Sequence, residues 1–289
     1  MDPSGKKHYH KHGYDPHKVM ATYFSRDTKR CFFQESTINI MTALHKAFSS
    51  GIVKGKSLVD ISFGPMIFQL FAICEFLEEI TVLEFNDLCI KELEKWLKKD
   101  PDAYDWSHTL EILTDLKGSR FGITFPFCLH NYSLNATLMY YEPDFDNEEW
   151  KGTEDMVRSK LKRVVKCDFE KTNPTDPVVL PKVDCAISIW ALDIISKDKA
   201  TYLENLKKMS SLIKPGGYLI LFGDINASYF KIDGHKYHVL TYDDIFLKTT
   251  LCDEGYSIDH YEDLEKNTTE DLVDHEKIVF VVARKVKQV

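Results

Sequence analysis

The sequence predicts an α/β fold, built on a mostly parallel sheet with helices on both faces. From residue 57 onward, short apolar runs alternate with segments of helical periodicity. The first run, at 57–62, ends in the glycine-proline turn Gly64-Pro65, and the second delivers Glu84 at its carboxyl end. A turn after the first strand and an acid after the second are typical of an open sheet that binds a nucleoside at its carboxyl edge.

The elements follow from this alternation. Apolar runs predict strands at 57–62, 79–85, 163–169, 183–190 and 217–223. Helical spacing predicts helices at 65–76, 88–99, 199–213 and 242–254, with helix resuming at 154–163 after an irregular stretch. Two closing runs, at 257–264 and 277–283, predict an antiparallel pair at the sheet edge. The total is a seven-stranded sheet.

Two further segments frame the sheet. Residues 1–54 are predicted to form an N-terminal lid with helices. Within it, 1–18 are polar and histidine-rich, which predicts mobility at their start, and 19–54 have helical spacing. Residues 117–150 are rich in aromatics and turn formers without a clear period, so we interpret them as an insertion packed near the pocket. We expect residues 1–289 to form one domain.

Composition narrows the function classes. The chain has 289 residues, 44% of them hydrophobic and 28% charged, and a formal net charge of −8. This balance argues against nucleic acid or an anionic membrane as the main partner. Seven scattered cysteines without a Cys-x-x-Cys pair, together with a polar N-terminus, predict a cytoplasmic protein with reduced thiols. We predict a monomer, and no metal site from the histidines at 8, 10 and 12, whose alternation is typical of a solvated tail.

The carboxyl ends of the predicted strands give the candidate site. They present the segment 60–64, Glu84, Asp168, the segment 188–190 and Asp224. Ligands of open α/β sheets bind beside these ends. Carboxylates are acceptors for ribose hydroxyls and for an adenine amino group, so Glu84 and Asp168 suit an adenosine.

Several segments together resemble the nicotinamide, phenylethanolamine and indolethylamine N-methyltransferase family. They are 14–18 with Tyr23-Phe24, 59–68, 92–99 with 105–106, 166–168, 192–193, 211–217, 228–229 and 283–285. The resemblance covers nearly the whole chain except about 118–150. It implies a Rossmann-like class I methyltransferase fold, S-adenosylmethionine as cofactor, and a small amine or pyridine-type nitrogen as substrate.

By position, the resemblance also implies the site residues. The cofactor set is Tyr23, Phe24, Ser62, Phe63, Gly64, Phe68, Glu84, Cys89, Asp168, Phe169 and Ile189. The substrate set is Trp190, Asp193, Asp224, Tyr229 and Phe230. Asp224 is the implied catalytic residue, whose carboxylate orients the nitrogen or stabilises its developing charge.

The chain departs from the family pattern in the loop after the first strand. Ser62 and Phe63 replace a glycine and a serine, and a glycine there allows positive φ and close backbone approach. Cys89 stands where the family has an asparagine, and Val19, Phe24 and Phe68 stand where hydroxyls are usual. An alternative interpretation is therefore a catalytically weakened or inactive relative that binds a ligand or partner. A third, a nicotinamide-dinucleotide oxidoreductase, is opposed by Met66-Ile67 where the third glycine is required.

Overall fold

In the computed structural model, the described residues form a seven-stranded sheet with the order β3-β2-β1-β4-β5-β9-β8. The structure describes residues 5–25, 28, 33–118, 147–264, 266 and 271–286. The strands are β1 (Ser57–Asp60), β2 (Glu79–Glu84), β3 (Leu161–Lys166), β4 (Val183–Ile189), β5 (Ile213–Ile225), β8 (Tyr256–Leu264) and β9 (Lys277–Lys285). A separate hairpin pairs β6 (Tyr229–Ile232) with β7 (His235–His238).

The first five strands of this order run parallel, and β9 is antiparallel to both of its neighbours. The predicted mostly parallel sheet with an antiparallel edge pair is confirmed. Strand order reverses between β1 and β4, since β2 and β3 follow β1 on one side while β4 and β5 lie on the other. Ligands of such sheets bind outside the carboxyl ends at this reversal.

Helices cover the sheet. They are α1 (Pro16–Tyr23), α2 (Asn39–Ser49), α3 (Phe68–Ile73), α4 (Asp87–Leu97), α5 (Ser107–Gly118), α6 (Asn147–Lys160), α7 (Ala191–Ile195), α8 (Lys199–Ser211) and α9 (Asp244–Asp253). A π-helical turn, Gln34–Ile38, precedes α2, and a 3-10 turn, Cys74–Phe76, follows α3. Several of these helices begin at a side-chain cap: Asp15 accepts from His17 N, Asn86 from Leu88 N, and Asp198 from Thr201 N.

The core lies between the sheet and these helices. Strands β4 and β9 are buried on both faces over most of their length, as near-continuous apolar runs in a covered sheet require. Sequence patterns did not predict α5, the short α7 or the β6–β7 hairpin. The predicted insertion at 117–150 falls mostly outside the described residues, which reach only its first two and last four positions, as the end of α5 and the start of α6.

Among the described residues, no helix combines the length and the apolar character that crossing a membrane requires.

Candidate functional site at the carboxyl edge of the sheet

The loop after β1 is held to the sheet by its own backbone. Ile61 N and Phe63 N donate to Ile187 O and Ile189 O of β4, at 2.8 and 3.0 Å. The loop turns at Gly64, which has φ +70°. Ser62 is not among the residues with positive φ, so the serine that replaces a family glycine has no backbone strain of this kind.

Beneath this loop lies the buried carboxylate of Asp60. Ser62 Oγ donates to Asp60 Oδ1, and Gln69 Nε2 donates to Oδ2 at 2.8 Å. Burial raises the pKa of Asp60 to about 6, while these two hydrogen bonds lower it. The Ser62 hydroxyl thus supports the base of the loop.

Glu84, at the end of β2, is the central acceptor of the site. It is fully buried, and Oε1 accepts from Phe85 N at 2.6 Å and from Asn86 N at 2.8 Å. Burial raises the pKa of Glu84 to about 7, against the lowering effect of its hydrogen bonds. Both carboxylate oxygens also accept from the Tyr9 hydroxyl, at 3.1 and 3.3 Å.

Cys89 lies one turn into α4, beside this acceptor. It is fully buried, and its Sγ lies 3.1 Å from the Tyr14 hydroxyl. Burial raises the pKa of the Cys89 thiol, with Glu84 adding to the effect, so the thiol stays protonated and is no nucleophile.

A cavity of about 540 Å³ opens beside the end of β3. Asp168 and Phe169 line it together with polar and charged side chains that include His10, Lys166 and Lys208. Asp168 Oδ1 accepts from Glu170 N at 2.9 Å, which leaves its second oxygen for a ligand, and Phe169 packs on Phe85 with ring centroids 5.7 Å apart. An aromatic face beside an acceptor suits a planar heterocycle.

A second, small and mostly apolar cavity of about 40 Å³ lies on the β5 side of the loop. Trp190, Asp224 and Phe230 of the predicted substrate set line it. Asp224 Oδ1 and Trp190 Nε1 are buried and find no hydrogen-bond partner among the described residues. Burial raises the pKa of Asp224 to about 6, while the His275 charge and the nearby Trp190 indole lower it. Trp190 has φ 60°, an unusual conformation for a bulky residue and one that is enriched at functional sites.

The remaining predicted substrate residues lie elsewhere. Asp193 accepts from the Tyr242 hydroxyl at 2.9 Å and from Asp224 N at 3.1 Å, so it supports the end of β5 from behind. The Tyr229 hydroxyl donates to Asp271 at the surface. Neither residue is among those that line the small cavity.

The predicted lid residues close this cavity on the other side. Tyr23 and Phe24 both line it, and the Tyr23 hydroxyl donates to Lys231 O of the β6–β7 hairpin. Phe68 is fully buried against Phe24, with ring centroids 5.4 Å apart, and Ile189 is buried at the end of β4. Phe63 also lines the cavity, and its ring centroid lies 5.1 Å from that of Phe230. Its ring also contacts Tyr9, whose hydroxyl donates to Glu84, so Phe63 lies between the cavity and Tyr9.

Sequence reasoning missed three buried polar residues. Glu35 and His275 face the small cavity, with His275 Nε2 and Glu35 Oε2 3.5 Å apart. Tyr9 contacts Glu84 from a segment expected to be solvated. The available signals were weak: an acid before an amphipathic helix, a histidine before the last strand and one aromatic residue among charges.

The donor set fits an adenosine cofactor with a thioether or sulfonium tail. Glu84 offers a carboxylate for ribose hydroxyls, Gly64 a backbone N–H at a left-handed turn, and Asp168 an acceptor for an exocyclic amine. The apolar cavity beside Asp224 lies next to the same loop.

Comparisons with known proteins identify similar N-methyltransferases. The chain is 30% identical over 277 residues to the nicotinamide N-methyltransferase of Homo sapiens, covering 95% of this chain and 94% of the relative. It is 28% identical over 282 residues to the indolethylamine N-methyltransferase of Oryctolagus cuniculus, covering 98% and 97%.

Among solved structures, the magnesium protoporphyrin IX methyltransferase from Synechocystis PCC 6803 with bound SAM superposes with a TM-score of 0.51. The two chains are 10% identical, over 93% of this chain and 90% of that one, which supports the class I methyltransferase fold. The model of the NNMT/PNMT/TEMT family matches residues 4–124 and 134–286. The chain therefore belongs to the NNMT/PNMT/TEMT family.

Proposed function

We propose that this protein is an S-adenosylmethionine-dependent N-methyltransferase that acts on a small amine or a pyridine-type nitrogen. The observation that carries the proposal is that the groups expected to bind the cofactor and the cavity expected to bind the substrate both lie beside the loop after β1. Phe63 lies between Glu84's hydroxyl partner on one side and the Asp224 cavity on the other. A cofactor that engages Glu84 and Gly64 and a nitrogen held beside Asp224 would then meet across Phe63.

Each residue has a distinct part. Glu84, Gly64 and Asp168 would hold the cofactor, which when bound supplies a methyl group on a sulfonium sulfur. Phe63, Trp190 and Phe230 exclude water and orient a flat substrate. Asp224 lies against this apolar surface with one oxygen unpartnered, so its carboxylate stabilises the positive charge that develops on the nitrogen.

Protonation of Asp224 sets the pH range of this chemistry. Because its pKa is raised to about 6, the carboxylate is ionised at neutral pH and still basic enough to accept a proton from the nitrogen or from water. The substrate must present a neutral lone pair to react, so an acceptor beside it favours the reactive form.

We further propose that the protein is a cytoplasmic monomer whose partner is the small-molecule substrate and not nucleic acid. The net charge of −8 supports the exclusion of nucleic acid. Four cysteines of the described part of the chain, Cys89, Cys167, Cys185 and Cys252, are free thiols, which suits a reducing compartment.

Calorimetric titration with S-adenosylmethionine and S-adenosylhomocysteine tests the proposal first. We expect binding in the micromolar range. Asp168→Ala should weaken it about tenfold, because an acceptor for the adenine amine is lost. Glu78→Ala, which removes an exposed carboxylate just before the amino end of β2, should leave it unchanged.

A screen of pyridines and arylalkylamines for methyl transfer, read by mass spectrometry, then identifies the substrate. Absence of cofactor binding up to millimolar concentration, both in the wild type and in variants that remove the Tyr9 contact to Glu84, would contradict the proposed function. It would favour the alternative, a family member that binds another ligand or a partner.

A further inference from the structure

The phenol of Tyr9 lies where the cofactor ribose is expected. Its hydroxyl donates to both oxygens of Glu84, at 3.1 and 3.3 Å, and accepts from Gly64 N at 3.0 Å. These are the acceptor and the loop N–H that the site offers to a nucleoside. The Tyr9 side chain is only 2% exposed, so it fills this space and does not merely cover it.

The ring is wedged among the aromatic residues of the site. Its centroid lies 5.3 Å from that of Phe63, 5.0 Å from Tyr14 and 6.0 Å from Phe85. Glu84 itself is fully buried with Tyr9 in place. A ribose can therefore reach Glu84 only if the Tyr9 ring leaves.

The backbone that carries Tyr9 is attached to the β6–β7 hairpin and to the segment just before it. We call residues 5–14 the N-terminal strap. Lys7 pairs with the edge of the β6–β7 hairpin through two backbone hydrogen bonds, to Lys236 O and from His238 N, at 2.9 and 2.8 Å. Lys11 forms an ion pair with Glu170 at 2.7 Å, but both side chains are more than half exposed, so this contact adds little.

The strap ends in a short exposed segment just before α1. Residues 11–13 are exposed, and α1 begins directly afterwards with Asp15 as its N-cap. Tyr14 is buried beside Cys89, and it anchors the base of the strap. Within the strap, Tyr9 and Tyr14 are buried, and the residues between them are partly or fully exposed.

We propose that the N-terminal strap is an autoinhibitory plug, in which Tyr9 occupies the ribose position and competes with the cofactor for Glu84 and Gly64. This inference rests on the proposed function. The protein exchanges between a plugged form and an open form, and only the open form binds the nucleoside. The apparent dissociation constant is the intrinsic one divided by the fraction of open protein. Weakening the plug therefore tightens binding.

Two Tyr9 variants test the plug, with S-adenosylhomocysteine as the calorimetric probe and the full chain as the protein. Tyr9→Phe removes the hydroxyl alone, while Glu84 keeps two backbone donors, so we expect about tenfold tighter binding than in the wild type. Tyr9→Ala removes the ring as well and should tighten binding further.

The matched control is Tyr261→Phe, which removes another phenol–carboxylate hydrogen bond, to Asp244, near the far edge of the sheet. Its affinity should equal that of the wild type. Hydrogen exchange supplies a readout independent of catalysis. The amides of residues 7–10 should exchange faster when S-adenosylhomocysteine is added, because the strap is displaced.

The outcomes separate the plug from the proposed function. If the wild type binds and both Tyr9 variants bind equally or more weakly, the plug is wrong, Tyr9 supports the bound cofactor, and the proposed function stands. If only the Tyr9 variants bind, the plug is supported in its strongest form. If none of the chains binds, the proposed function and the plug are both overturned.

Discussion

At the scale of single residues, Asp224 is a buried carboxylate with an incomplete set of hydrogen bonds. Its Oδ1 is buried without a hydrogen-bond partner among the described residues, beside the equally unpartnered Trp190 Nε1. A buried carboxylate in this state destabilises the fold. Such a cost is typical of a group retained for binding or catalysis.

Asp224→Asn should therefore separate activity from stability. We expect kcat to fall about 10²-fold, because the charge that stabilises the developing cation is lost. The melting temperature should stay equal or rise, because burying a neutral amide costs less desolvation free energy than burying a charged carboxylate. Steady-state kinetics and thermal melts check both.

The control for this variant is Asp233→Asn, which removes an exposed carboxylate from the turn of the β6–β7 hairpin. Its backbone has φ 50°, a conformation that asparagine tolerates well. It should leave kcat unchanged. An undiminished rate in Asp224→Asn would remove Asp224 from the mechanism.

At the scale of elements, the carboxyl end of β5 is positioned by close packing on α7 and on the segment before α9. A Cβ on Gly223 would overlap the Tyr242 hydroxyl and would lie 3.3 Å from Asp193 Oδ2. These two groups are hydrogen-bonded to each other at 2.9 Å, and Asp193 also accepts from Asp224 N. Gly223 therefore lets this pair fix the backbone that carries Asp224.

Gly223→Ala should destabilise the protein by about 2 kcal/mol through overpacking and should also lower kcat. The matched control is Gly152→Ala in α6, where a Cβ meets nothing within 4 Å. That change should stabilise the protein by about 0.5–1 kcal/mol, because alanine favours helix. Chemical denaturation measures both free energies of unfolding, and equal effects of the two substitutions would contradict the packing argument.

At the scale of the whole molecule, buried acids make stability depend on pH. Burial raises the pKa of Glu84 to about 7, and that of Asp60 and of Asp224 to about 6. The ordinary values are 4.5 and 3.8. A raised pKa in the folded state means that the folded protein binds protons more tightly than the unfolded chain. The stability from these groups is complete below their ordinary values and is lost as the pH rises to about 7.

We therefore expect the free energy of unfolding of the cofactor-free protein to decrease from pH 5 to pH 8. Burial lowers the pKa of His10 to about 4, which acts in the opposite sense over part of this range. Comparison of two variants isolates the contribution of Glu84. Glu84→Gln should reduce the decrease in the free energy of unfolding between pH 5 and pH 8 by a few kcal/mol, whereas the surface change Glu78→Gln should leave that decrease unchanged. An identical slope in Glu84→Gln and wild type would show that Glu84 has an ordinary pKa.

Much of this molecule was predictable because its signals are local. The alternation of apolar strands and amphipathic helices fixed β1 to β5, α4, α8, α9 and the closing antiparallel pair to within a few residues. Parallel strands must end at the same edge of the sheet, so Glu84, Asp168 and Asp224 could be grouped as a site before their positions were known.

Other features depend on contacts between residues far apart in the chain, which no local pattern reports. The β6–β7 hairpin and α7 are short, so tertiary packing defines them and periodicity does not. Glu35 and His275 meet across 240 positions of sequence. The difference between Asp193 and Asp224 also depends on the folded state. Asp193 accepts a hydrogen bond from Tyr242, whereas Asp224 Oδ1 finds no partner among the described residues.

The sequence alone determined the fold class and the family resemblance, and it predicted the edge of the sheet where the candidate site is expected, because hydrophobic periodicity and strand direction are local properties of the sequence. Only the tertiary structure decided what occupies that site. Tyr9 lies 75 positions from Glu84 in sequence, yet its hydroxyl reaches the carboxylate because the strap folds back over the carboxyl ends of β1 and β2. Such a contact is set by the geometry of the assembled sheet.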